Sequence, residues 1–160
     1  MGICWHGRKP AVAAVRAAVL AAGLTAVLAS CGGGSGEGLD SSGRPTGGTA
    51  GGPLTASFAS IQDNVFTPVC TGCHAGAAAP AGLRLDAASS YALLVGVASA
   101  EVSSLQRVAP GRPDDSYLIH KLEGRAAVGA RMPLGGPYLD DATIAVIRQW
   151  IAAGAPREAQ

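Results

Sequence analysis

The chain has 160 residues, of which 48% are hydrophobic and only 4% aromatic, with a formal net charge of +1. That length holds one domain with extensions. The near-neutral balance gives no electrostatic basis for binding nucleic acid or an acidic membrane surface.

Arg8, Lys9 and Arg16 flank the start of an apolar run from Ala17 to Ala29 that only Gly23 and Thr25 interrupt. It is too short to span a bilayer comfortably and suits the apolar core of a signal peptide. The run ends in Leu28-Ala29-Ser30-Cys31, which resembles a bacterial lipobox. Residues 1–30 are therefore expected to be removed and Cys31 lipidated as the mature N-terminus; an ordinary secretory signal is the competing reading, and both export the domain. Gly32 stands where aspartate marks inner-membrane retention, so the same resemblance implies an outer-membrane anchor facing the periplasm. Cys4, His6 and Met1 leave with the leader. What remains is Cys31, Cys70, Cys73, His74, His120 and Met132, with nine basic and eleven acidic residues, a net of −2.

Ten of the 23 residues from Gly32 to Leu54 are glycine. Residues 31–54 thus read as a lipidated cysteine and a flexible Gly/Ser-rich linker, about 25 Å long as a coil and roughly 75 Å pulled straight. The folded part begins at residue 55 and runs to 157, with 158–160 as a tail. Thr55 or Ser57 can cap a first helix carrying Phe58, Ile61 and Val65, which Pro68 is expected to stop. Next comes Cys70-Thr71-Gly72-Cys73-His74. Asp86 is a candidate N-cap for a short helix through Tyr91, Leu93 and Leu94 that ends at Gly96. Residues 97–111 are mostly irregular, with 105–109 a candidate extended stretch. Pro113, Asp114 and Asp115 suit the first turn of a helix that buries Leu118, Ile119 and Leu122 and stops at Gly124. A Pro/Gly-dense loop follows, containing Arg131-Met132-Pro133-Leu134-Gly135-Gly136-Pro137. Asp140 caps the last helix, with Leu139 and Ile144 at the staple positions and Ile144, Val146, Ile147, Trp150 and Ile151 on a broad apolar face.

The Cys-x-x-Cys-His run has the form of a covalent c-type haem attachment site. Its two thiols are spaced for the two vinyl groups of one haem, and the imidazole that follows binds the iron from the proximal side. Two other chemistries use paired cysteines. A dithiol oxidoreductase wants the motif at the start of a helix in a βαβ setting, which is missing here. Zinc wants about four ligands, and the mature domain offers two cysteines and two histidines. A short-loop disulfide beside a surface histidine is the bland alternative.

With a leading helix, this motif, a Met-Pro pair 58 residues after His74 and a closing amphipathic helix, residues 55–157 resemble a class I cytochrome c domain. The wording is most similar to small cytochrome-c-like domains of bacterial lipoproteins, through Arg107-Val108-Ala109-Pro110-Gly111, Ser116-Tyr117-Leu118, Arg131-Met132-Pro133 and Ile147–Ala155. The resemblance implies an all-α fold of about four helices and long loops around one covalently bound haem c. It also implies that the first and last helices cross, so that Phe58, Ile61 and Val65 meet Trp150 and Ile151. A domain this small and poor in aromatics buries little on its own, so the porphyrin is expected to supply much of the interior.

On the distal side Met132 is the single thioether of the mature chain, and such a ligand raises the reduction potential relative to a second imidazole. Its bland alternative is a core gap-filler. His120 is the rival ligand, set beside Lys121 at the edge of its helix's apolar face; an open distal position is the third state. Arg107, Arg112 and Arg131 are candidates for bidentate contact with haem propionates, against ordinary surface charge. The function expected is therefore an exported, membrane-tethered mono-haem cytochrome that passes single electrons between redox partner proteins and is not itself an enzyme. A haem-based sensor with an open distal site, or a disulfide-stapled module without haem, are the alternatives.

Overall fold

A computed structural model describes residues 38–46 and 53–158; the predicted leader, Cys31 and residues 159–160 lie outside the described residues. Ser57, extended at φ −122° and ψ 149°, accepts a hydrogen bond from the Ser60 amide and opens α1 (Phe58–Ile61). The chain does not stop at Pro68 as predicted but widens into a π-helix, Gln62–Cys70, that contains it. Proline in an α-helix lacks the N–H for the ladder and its ring collides with the carbonyl four residues back. A wider turn gives the ring room, and the Thr71 amide closes it on the Phe66 carbonyl five residues back, at 3.1 Å. The motif cysteines are thus delivered at the end of a continuous helical segment.

Asp86 is not the N-cap of the next helix as predicted: Ser89 holds that place without a side-chain bond, and Asp86 closes the turn before it. Its carboxylate accepts from the Ser89 amide at 3.1 Å, and its carbonyl from the Ser90 amide at 2.9 Å. The helix itself, α2, is only Ser90–Leu94. Between 95 and 116 the chain makes isolated bridges, Val95 with Val108, Ala98 with Gln106 and Gln106 with Ser116. The single helix predicted from Pro113 is divided into a 3-10 turn, Pro113–Asp115, and α3 (Tyr117–Glu123), because Ser116 between them is extended. Its hydroxyl bridges the loop instead, accepting from the Ala109 amide and donating to the Arg112 carbonyl, each at 2.9 Å. Gly124, left-handed at φ 76°, ends α3 where glycine is expected.

The last helix, α4 (Asp141–Ala152), starts with the Asp140 carboxylate accepting from the Thr143 amide at 2.8 Å. Leu139 and Ile144 are both buried at its start, forming the predicted staple. α1 and α4 meet in one cluster with Ile61, Val65, Phe66, Leu94, Ile119, Ile147 and Ile151. The Phe58 ring lies 5.7 Å from Trp150 and edge-on to Tyr91 at 5.0 Å. Each polar end of this aromatic group is satisfied: the Trp150 indole donates to the Pro156 carbonyl at 2.9 Å and the Tyr91 hydroxyl to the Ala155 carbonyl at 3.0 Å. Among the described residues no helix is long and apolar enough to cross a membrane.

One part of the predicted linker is built into the fold. Residues 38–46 form a tight turn with Leu39 bridged to Pro45, and Leu39 packs on the core. Composition suggests a solvated tether here, but a single leucine and two close-packed glycines are enough to seat the turn.

Candidate functional site

The π-helix hands Cys70 to a tight turn in which the Cys73 and His74 amides both donate to the Cys70 carbonyl, at 3.2 and 2.8 Å. The His74 carbonyl then accepts from the Leu85 amide at 2.7 Å. Its ring Nδ1 lies 3.0 Å from the Leu83 carbonyl. A carbonyl can only accept, so Nδ1 carries a proton, and in the neutral ring Nε2 keeps its lone pair. Where a histidine does ligate a metal, a contact of this kind fixes the tautomer and direction of its ring. Sequence reasoning missed Leu83 as the anchor, because any residue type can supply a backbone carbonyl.

Cys70 is a half-buried free thiol packed on the core, with Sγ 3.8 Å from the Val65 carbonyl. Burial, and secondarily the neighbouring Cys73, push its pKa up to about 12. A nucleophilic dithiol site needs the opposite shift. Cys73 is exposed. Gly72 between them has an ordinary φ, and a Cβ there would meet nothing within 4 Å.

Gln62, which recurs at helical spacing with Phe58, Ile61 and Val65, supports this segment from inside. Its side-chain amide donates to the Leu85 carbonyl at 2.9 Å and to the Thr67 hydroxyl at 3.0 Å, while its oxygen accepts from Ser90. One buried side chain therefore ties the π-helix to the strand of chain after His74 and to α2.

Met132 is half-buried against the same hydrophobic cluster as Cys70 and Leu83. Its amide donates to the Lys121 carbonyl at 3.0 Å, and its peptide bond to Pro133 is cis. The loop before it is bolted to α3 by a group no periodicity argument reveals. Lys121 is 9% exposed, its Nζ 2.6 Å from a Glu101 carboxylate oxygen and 3.0 Å from the Val128 carbonyl. The Tyr117 hydroxyl donates to that carbonyl as well, at 2.6 Å. Gly129 passes so close that a Cβ would come within 2.2 Å of Nζ. Val128, Leu134 and Tyr138, all exposed, flank Met132 in sequence.

His120 is engaged elsewhere. Its Nε2 donates to the Asp114 carbonyl at 2.7 Å. Beside it, Arg148 bonds Glu123 at 2.9 Å and also Asp114, while Arg125 reaches both carboxylates. The three candidate propionate arginines have partners within the chain. Arg107 donates to the Leu93 and Ala81 carbonyls, each at 2.7 Å. Arg131 donates to the Leu122 carbonyl at 2.8 Å and stacks 4.2 Å over the Tyr138 ring. Arg112 faces Asp115 at 3.6 Å. A guanidinium has five N–H donors, so each retains some for another acceptor.

Among the described residues no three His, Cys, Asp or Glu side chains group to hold a metal ion. Two thiols, one imidazole and one thioether are the side-chain types that would hold a haem c. No protein-family model matches the chain, and neither the curated proteins nor the solved structures searched contain a match.

Proposed function

We propose that this protein is an exported, membrane-tethered mono-haem c-type cytochrome that carries single electrons between redox partner proteins. The observation that carries the reading is the orientation of His74. Directly after Cys-x-x-Cys, its Nδ1 is bound to the Leu83 carbonyl and its Nε2 is left for iron. In this reading Cys70 and Cys73 hold one haem c by thioether bonds, His74 is the proximal ligand and Met132 the distal one. The bound group supplies a ferric/ferrous couple.

The chain's own part is positioning. Leu83 fixes the imidazole, Gln62 stiffens the segment on either side of the motif, and the Lys121–Glu101 pair with Tyr117 holds the loop that carries Met132. A haem held by both His74 and Met132 would need little ligand rearrangement on changing oxidation state, which suits a carrier more than a catalyst. His120 is disfavoured as the distal ligand because its Nε2 is already donated to Asp114. Arg107, Arg112 and Arg131 are offered for the propionates through the donors they keep. The lipobox-like Leu28–Cys31 supports a lipid anchor on Cys31, on the periplasmic side of the outer membrane.

The test is the full chain matured in a host with working haem-ligation machinery. A c-type pyridine haemochrome and an intact mass raised by one porphyrin are expected. A mass without porphyrin overturns the reading, and fast carbon monoxide binding to the reduced protein favours a sensor with an open distal site.

A further inference from the structure

The docked turn at 38–46 changes what a lipid on Cys31 would do. It is internally complete: the Asp40 carboxylate accepts from the Ser42 and Arg44 amides at 2.8 and 3.0 Å. The Asp40 amide donates to the Arg44 carbonyl at 2.9 Å, and the Thr46 amide to the Gly38 carbonyl at 2.9 Å. It is also fastened to the domain at two places. At one, Gly43 is buried with φ +79°, and a Cβ there would lie 1.9 Å from the Tyr138 carbonyl oxygen. The Gly43 carbonyl accepts from the Asp140 amide at 2.9 Å, and the Arg44 guanidinium stands 3.7 Å from the Asp140 carboxylate. At the other, Gly38 passes so near Pro68 that a Cβ would be 2.7 Å from its carbonyl oxygen.

These two places matter for the site. Pro68 lies two residues before Cys70, and Asp140 closes the loop that begins after Gly124 and carries Met132. The turn therefore joins the end of the cysteine-bearing helix to the end of the methionine loop, along one edge of the domain.

We propose that residues 38–46 act as a clasp that shortens the tether and seats this edge against the membrane surface. The inference rests on the lipid-anchor reading above. Gly38 is only seven residues after Cys31. At about 3.3–3.6 Å per residue, that length allows the clasped edge no more than about 25 Å from the anchor, against roughly 75 Å for an undocked chain to residue 54. The domain then presents one fixed side to the lipid and the opposite side to soluble partners, instead of sampling a wide shell. The occupant of the clasped edge is the headgroup surface of the membrane that holds Cys31.

The experiment uses the full-length protein purified from membranes, with the lipid on Cys31 checked by intact mass, and two variants. Gly43→Val drives a side chain into the Tyr138 backbone. Asp40→Ala removes the two carboxylate bonds that brace the turn and leaves every residue from 55 to 157 unchanged. Hydrogen exchange is expected to show the Asp40, Gly43 and Thr46 amides protected in the native protein. Both variants should lose at least about tenfold of that protection while α4 keeps its own. In a supported bilayer, neutron reflectivity should place the native domain directly on the headgroups and the variants in a broader layer further out. Native amides exchanging at unprotected rates overturn the clasp. Identical layer profiles for native and variants overturn the tether shortening. A protein without lipid on Cys31 removes the anchor reading and the membrane distance with it, and the exchange result then judges the clasp alone.

Discussion

The segment around His74 and the segment around Met132 are built on opposite plans. The first is held mainly by backbone: a continuous helical run, amides folded onto the Cys70 carbonyl, and a ring nitrogen bound to the Leu83 carbonyl. The second is a Pro/Gly-dense loop held largely by side chains, with Lys121, Glu101, Tyr117 and Arg131 fastening it to α3. Backbone fixation survives most substitutions, whereas side-chain fixation can be tuned one residue at a time. The proximal half should therefore decide whether a haem is held, and the distal half what potential it has.

The largest expected effect is at His74. His74→Ala should abolish c-type haem incorporation, read as loss of the haemochrome in protein matured under identical conditions. Met132→Ala should leave attachment intact but lower the reduction potential and open the reduced protein to carbon monoxide. An unchanged spectrum and potential would show that Met132 is not the ligand. Gln62→Leu should cost about 1–3 kcal/mol, because the Leu85 carbonyl and the Ser90 hydroxyl lose a buried partner. Chemical denaturation measures this, and the potential should move little.

Lys121→Met should cost less, about 1–2 kcal/mol, since Glu101 is a third exposed and can rehydrate. Unlike Gln62→Leu, it should shift the potential, because the Met132 amide bonds the Lys121 carbonyl and the loop before it loses its bolt. If both variants act alike on stability and potential, the division between the two halves is wrong. The smallest effect belongs to the charge cluster around Arg148. The hydrogen bond from Arg148 is the first cause holding the Asp114 carboxyl below its ordinary value of 3.8. A depressed carboxyl contributes stability above its unfolded value, and the contribution disappears as pH falls through the folded value. Asp114→Asn should therefore be slightly less stable than the native protein at neutral pH and converge with it in acid denaturation below about pH 3.8.

Sequence alone disclosed most where local chemistry decides. The Asp140 cap, the Leu139–Ile144 staple, the glycine after α3 and the Cys-x-x-Cys-His run are each legible in a few neighbouring residues. Pro68 misleads because the rule that proline ends a helix presumes α geometry, and a π-helix relaxes the collision. Lys121 misleads because lysine is almost always solvated, and only the fold brings Glu101, twenty residues earlier, to its ammonium. Residues 38–46 are hidden by composition, since glycine signals freedom until a neighbouring backbone comes close enough to require it. The anchoring role of Leu83 is a property of its carbonyl and so leaves no trace in residue identity.

Residues 155 and 156 carry a practical consequence. Ala155, at φ 51°, and Pro156 supply the two carbonyls that receive the Tyr91 hydroxyl and the Trp150 indole N–H. Trimming the chain before them would strip acceptors from two aromatic side chains at once, beneath a surface that looks dispensable. An affinity tag or fluorescent fusion joined after residue 158 through a relaxed spacer should be tolerated, whereas one joined at Gly154 should yield poorly soluble protein.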